Sequence, residues 1–211
     1  MARVVVFGFT GYAGGAIARE LVARGHDVLG VSRNPEGADA PVEVRAGSIF
    51  DDQLVREVAQ GADHLVVALH ASSEPALETA LPSLTSAAIA EGATLSFVGG
   101  AGSLLVAAEG PRLFETADFP EAYQPEARAH GAILDTLRAA PAELDWFYVS
   151  PAAEFGSWNA GERTGTFRIG GDVLLTAADG SSTISGADYA IAYVDEIERA
   201  EHRRARFSVA Y

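Results

Sequence analysis

The run Arg3-Val4-Val5-Val6-Phe7-Gly8-Phe9-Thr10-Gly11-Tyr12-Ala13-Gly14-Gly15 constrains the chain more than any other. Its consecutive apolar residues, mostly β-branched, read as a strand buried on both faces, the pattern of a parallel sheet. Glycines at positions 8, 11 and 14 follow, and residues 16–24 then space apolar side chains at helical intervals up to Gly25. Strand, glycine turn and helix in that order form a phosphate-binding turn. Gly8 allows the sharp exit from the strand, Gly11 leaves no Cβ between backbone and a pyrophosphate, and Gly14 lets the helix approach the sheet. The helix N-terminus offers unpaired N–H groups and a partial positive charge to the anion. The competing reading is a tight βα turn with no ligand, and the flanking elements weigh against it.

The second strand, 26–32, ends in Ser32-Arg33, where a dinucleotide fold faces the adenosine ribose. An acid there bonds a ribose 2′-hydroxyl, whereas an arginine accommodates a 2′-phosphate. With no acid at that spot, NADP is expected in preference to NAD. Further strands are expected at 42–46, 62–69, 93–98, 144–149 and 206–211, with helices at 51–60, from Ser73-Pro75 to 91, at 125–140 and from a capping box at Ser185-Gly186-Ala187-Asp188. Residues 104–122 lack periodicity and read as a lid or binding loop. Ala177-Ala178-Asp179-Gly180 reads as a hairpin turn. The expectation is an α/β fold: a single doubly wound Rossmann-type parallel sheet spanning 1–211, with 151–190 forming a small substrate-side lobe.

Composition narrows the chemistry. The chain has no cysteine, so disulfides and thiolate metal sites are excluded, and no metal is called for. All 15 basic residues are arginines, which excludes any lysine-dependent mechanism. A formal charge of −14 repels nucleic acid and anionic membranes. Without a signal-like segment or a membrane-length apolar run, the expected location is the cytoplasm. A homodimer is compatible with these features.

The glycine turn, Val98-Gly99-Gly100-Ala101-Gly102-Ser103-Leu104, Asp145-Trp146-Phe147-Tyr148-Val149-Ser150-Pro151-Ala152 and Ser185-Gly186-Ala187-Asp188-Tyr189-Ala190 occur in the order found in a known family. Across essentially its whole length the chain resembles the atypical short-chain dehydrogenases/reductases with an NmrA-like NAD(P)H-binding domain, in particular the bacterial NADH-flavin reductase group. The resemblance implies a nucleotide contacted by Phe9, Thr10, Gly11, Tyr12 and Ala13 of the turn, by Ser32 and Arg33, and by Ser48, Ile49, Leu69 and His70. It implies a nicotinamide near Gly99, Gly100, Pro151 and Ala152.

Conventional members of the superfamily carry Tyr-x-x-x-Lys on the helix before the sixth strand. Here Tyr123-Gln124-Pro125-Glu126-Ala127 keeps a tyrosine but has alanine in the lysine place. Counting back from Asp145-Trp146 instead puts His130 in that place and Glu126 in the tyrosine place. Glu126 and His130 then lie one helical turn apart on one face. The expected roles are His130 on the nicotinamide ribose, Glu126 orienting its imidazole, and Tyr123 closing over the acceptor; a solvent-exposed His130 is the competing reading. A hydride acceptor that becomes an alkoxide loses roughly 10²–10⁴-fold in rate without a positioned acid. A flavin or quinone delocalises the charge and draws its proton from water, so a flavin- or quinone-like acceptor is expected. Phe114, Phe119, Tyr123, Phe155 and Trp158 are aromatics available to such a ring, or to packing. A redox sensor without turnover and an epimerase or isomerase stay open as alternatives.

Overall fold

In the computed structural model, residues 1–36 and 41–211 are described. Strand β1 (Arg3–Phe7) leads through the glycine turn into α1 (Tyr12–Ala23). Then come β2 (Asp27–Ser32), β3 (Glu43–Ala46), α2 (Asp52–Ala59) and β4 (His64–Val67). The second half holds α3 (Leu81–Glu91), β5 (Thr94–Val98), α4 (Gln124–Arg138), β6 (Trp146–Ser150), β7 (Arg168–Gly170), α5 (Gly186–Arg199) and β8 (Ala205–Ala210).

The strands form one sheet in the order β3-β2-β1-β4-β5-β6-β8-β7, parallel throughout except for the β7–β8 pair. The fold is therefore α/β and Rossmann-like, as the alternation of elements implies. Both faces of the central strands are covered, which is why β1, β4, β5 and β6 are apolar without strict alternation, whereas the short β3 and β7 at the sheet edges are exposed. Val5, Phe7, Leu65 and Phe97 pack with Leu54 of α2, Leu84 of α3 and Leu134 of α4. Val4, Val6, Val66 and Phe147 pack on the other face with Ile17 of α1 and Tyr189 and Tyr193 of α5. The chain winds outward from β1 to β3, returns to place β4 beside β1, and winds outward again. That reversal opens a crevice at the carboxyl ends of β1 and β4, where such sheets bind ligands.

Two local expectations are corrected. No α-helix starts at Ser73-Pro75: residues Leu77–Ala80 form a 3-10 turn, and α3 begins at Leu81 with Pro82 in its first turn. The turn at Ala177–Gly180 forms, with the Ala177 N–H bonded to the Ser181 carbonyl, but no paired strands flank it. The antiparallel partner is instead β7 on β8, with Ile169 opposite Val209. The Ser185 cap is as expected, its hydroxyl accepting from the Asp188 N–H at 3.0 Å.

Candidate functional site

Each glycine of the turn has its own neighbour. Gly8 sits at φ +86°, and a Cβ on it would lie 2.2 Å from the Ala68 carbonyl at the end of β4. On Gly14 a Cβ would come within 2.3 Å of the Gly8 carbonyl, so the helix meets the strand at glycine distance. Gly11 differs: it is exposed, has an ordinary φ of −80°, and its added Cβ would find only the Gly8 carbonyl, at 3.3 Å. Space above Gly11 is open. The first bond of α1 runs from the Gly15 N–H to Gly11, and no side chain caps the helix. The N–H groups of Tyr12, Ala13 and Gly14 therefore face that space without an intrahelical partner. An open glycine and free helix N–H groups are the donor set that a pyrophosphate needs.

Beside this turn, the Thr10 and Ser32 hydroxyls lie 3.3 Å apart, and Arg33 is exposed next to them. No acidic side chain of the described residues bonds to any of the three. Phe9 is buried in the core at the base of the turn, so only its backbone can reach a ligand. Tyr12 bends away from the turn: its hydroxyl accepts from the Gly186 N–H at 2.8 Å and donates to the Ala160 carbonyl at 3.2 Å. Ser48 and Ile49 follow β3, with Ile49 buried in the core. Leu69 leans on Gly8, and His70 is exposed at the end of β4.

Around α4 the polar groups close on one another. Glu126 Oε1 accepts from the Ala71 N–H at 2.8 Å, and Oε2 accepts from the Ser72 N–H at 2.9 Å and from the Ser72 hydroxyl. His130 Nε2 lies 3.2 Å from Glu126 Oε1, and His70 Nδ1 lies 3.4 Å from it. Burial alone would raise the Glu126 pKa, but the bonds from His130, Ser72 and the two N–H groups outweigh it and hold the carboxyl far below the usual range. The expected one-turn spacing of Glu126 and His130 is thus realised.

His130 is buried, and its other nitrogen, Nδ1, lies 3.2 Å from the Tyr148 hydroxyl. That hydroxyl also bonds the Gly100 N–H, and the Tyr148 ring fills the space a Gly99 Cβ would need. Burial pushes the Tyr148 pKa well above its ordinary value, so the phenol stays neutral. Gly99 and Gly100 are shaped from beneath by Tyr148, while Pro151 and Ala152 are buried at the end of β6. Tyr148 and Ser72 were not singled out from sequence. A tyrosine in a strand buried on both faces needs a partner for its hydroxyl, and that was the available signal.

The aromatics divide. Phe114 is buried under the Arg128 guanidinium, 5.1 Å from its ring centre, and Phe155 packs on Tyr189 with centroids 4.7 Å apart. Phe119 is half-buried beside Gly102, whereas Tyr123 and Trp158 are exposed. Residues 104–122 are laid onto the body, with Leu105 bonded to Asp172 and Leu174.

With that geometry in place, comparison with known proteins agrees. A family model described as NAD(P)H-binding matches residues 8–200. The chain belongs to this NAD(P)H-binding family, which is consistent with its resemblance to the atypical short-chain dehydrogenases/reductases of NmrA-like type. It is 36% identical to YwnB, an uncharacterised protein of Bacillus subtilis, over 98% of this chain and 97% of that one. A crystal structure of a candidate NADH-flavin reductase from Streptococcus pneumoniae superposes with a TM-score of 0.89 at 33% identity, covering 100% of this chain and 99% of that one. A candidate epimerase from Bacteroides thetaiotaomicron gives a TM-score of 0.90 at 32% identity, over 100% and 97%. Among the described residues no helix is long and apolar enough to cross a membrane.

Proposed function

We propose that the chain is an NADP(H)-preferring oxidoreductase that passes hydride to a flavin- or quinone-like acceptor. The observation that carries this reading is the contrast at the two ends of the crevice. The turn over Gly11 is open, whereas at the other end neither His130 nor Tyr148 is free to act as a positioned acid: both His130 ring nitrogens already have protein partners, and Tyr148 is sealed beneath Gly100. When bound, the reduced nicotinamide supplies the hydride. The α1 N-terminus and Gly11 hold the pyrophosphate, and Thr10, Ser32 and Arg33 hold the 2′-phosphate end of the adenosine. His130 and Glu126 act as positioning residues: together they fasten the 70–72 loop and, through Tyr148, the Gly99-Gly100 floor under the nicotinamide.

Two electrons and one proton leave as hydride, and the acceptor takes its remaining proton from water. An alkoxide-forming carbonyl would need an acid at the reacting atom. A delocalised ring needs contact distance instead. The name of the Streptococcus neighbour is consistent with this reading. The test is NADPH oxidation against flavins, quinones, aldehydes and sugar nucleotides, with NADH in parallel. Turnover with flavin or quinone supports the proposal. Turnover with aldehydes alone overturns the acceptor class, and tight NADPH binding without any turnover would make the chain a redox sensor.

A further inference from the structure

The nucleotide crevice lies at the carboxyl ends of the strands. At their amino ends, His64, Thr94 and Trp146, the first residues of β4, β5 and β6, help to line a second cavity of about 210 Å³. The C-terminal part of α5 closes it with Glu196 and Ile197. That volume is more than ten times the roughly 15 Å³ that a single water needs. Asp145 and Arg203 also line the cavity and are paired with each other.

Among the described residues, four buried side-chain nitrogen or oxygen atoms lack a hydrogen-bond partner. Two of them, His64 Nδ1 and Trp146 Nε1, belong to residues that line this one cavity. Trp146 is 1% exposed, so its indole N–H has no recourse to bulk solvent. A buried polar atom left unmated forfeits its hydration with nothing in exchange, and native folds seldom tolerate it. Two such atoms around one cavity point to a polar partner inside it.

The three buried polar groups define what that partner is. The indole N–H only donates, so the occupant must offer it an acceptor. Burial pushes the His64 pKa down to about 4, which leaves the ring neutral near pH 7. Its Nδ1 then gives or takes a hydrogen bond according to tautomer. Glu196 is 5% exposed, and each carboxylate oxygen already has one partner on His202, the N–H for Oε1 and Nδ1 for Oε2, both at 2.7 Å. The remaining lone pairs of Glu196 take only donors. An anion would be repelled by this buried carboxylate, and an ammonium has no acceptor for the indole. A hydroxyl both donates and accepts, and a short carbon chain bearing several can lay its carbons on Phe147 and Ile197.

We propose that this cavity is a binding site for a small neutral polyol, separate from the nucleotide crevice. The experiment uses the whole chain labelled with nitrogen-15, with ribitol as the probe and acetate and methylammonium as charged controls. The chain has two tryptophans, so two indole N–H signals are expected, and the one that survives in Trp158→Phe belongs to Trp146. Ribitol should move the Trp146 signal saturably and leave the Trp158 signal in place, and the charged controls should move neither. His64→Phe should weaken ribitol by roughly three- to tenfold, the scale of one lost hydrogen bond. It should not lower Tm, because it removes an unpaired nitrogen, and NADPH affinity should stay within about twofold. The proposal is overturned if ribitol leaves the Trp146 signal unmoved, which would make the cavity a hydration site. It is overturned equally if a charged control moves that signal as ribitol does, if saturating ribitol displaces NADPH, or if folded His64→Phe binds ribitol as wild type does. The wild-type titration alone decides the matter if His64→Phe loses its fold. None of these readouts involves hydride transfer, so the outcome is independent of the proposed reaction.

Discussion

The two ends of the crevice use the same materials in opposite ways. At the β1–α1 end, backbone N–H groups and the Thr10, Ser32 and Arg33 side chains face solvent with few protein partners. At the β5–β6–α4 end, Tyr148, His130, Glu126 and Ser72 are bonded into one chain that leaves little for a ligand. On the proposed reading, the first end is completed by the nucleotide. The second is already complete and sets shape. The difference teaches that a polar cluster near a cofactor site is not by itself a catalytic cluster; what counts is how many of its donors and acceptors remain unspent.

The largest effects should fall on the glycines, and they should separate. Gly14→Ala forces a Cβ to within 2.3 Å of a backbone carbonyl, which cannot move aside as a flexible side chain would. The expected outcome is loss of folded protein, read by thermal denaturation. Gly11→Val meets no such wall and should fold, with NADPH affinity reduced on the order of a hundredfold by calorimetry. Wild-type NADPH affinity in folded Gly11→Val would mean that the open end is not the phosphate site.

Next comes the closed end. Tyr148→Phe strands the Gly100 N–H, and leaving such a group unpaired costs roughly 1–3 kcal/mol. In a chain of this size that lowers Tm by about 3–9 °C. A thousandfold loss of turnover with Tm unchanged would instead make the phenol a proton donor and erase the contrast between the two ends. Glu126 adds a pH signature. Its folded pKa is depressed, so its stabilising contribution is present above the ordinary carboxyl value of 4.5 and is lost progressively as pH falls below it. Glu126→Gln should lower Tm near neutrality and flatten the decline on the acid side, seen in denaturation scans from pH 7 downward. An unchanged acid limb would mean that the carboxylate is not what fastens the 70–72 loop.

These pairings also mark where sequence reading stops. The β1 strand, the glycine turn and the Ser185 cap were legible because each is a local pattern answering a local requirement: a buried strand, a tight turn, an orphan N–H. The Glu126–His130 spacing was legible for the same reason, being one turn of helix. Their remaining partners were not. Ser72 and Glu126 are 54 residues apart, and Gly100 and Tyr148 are 48 apart, so only the sheet order brings them together. Strand β7 was missed because Arg168-Ile169-Gly170 is too short to show a period; it exists because β8 offers it an edge. Phe155 and Trp158 are three residues apart and alike in composition, yet one is packed and the other bare.

Smaller effects sharpen the open end. Arg33→Ala should weaken NADPH about tenfold, the scale of one charge-assisted bond to phosphate, and leave NADH unchanged. Equal losses for both nucleotides would assign Arg33 to the shared part of the molecule and remove the basis for an NADP preference.

The smallest expected effect is the most diagnostic for mechanism. Tyr123 closes a 3-10 turn at the start of α4, is 60% exposed, and its hydroxyl has no partner among the described residues. An unpartnered, solvent-exposed phenol has nothing to hold it at a reacting atom, which a general acid needs. Tyr123→Phe keeps the ring and should change kcat and KM by less than about twofold with a flavin or quinone. A fall of several hundredfold in kcat at constant KM would mean that the loop carries the hydroxyl onto the substrate during turnover. The acceptor would then be a carbonyl, and the proton would come from Tyr123 rather than from water.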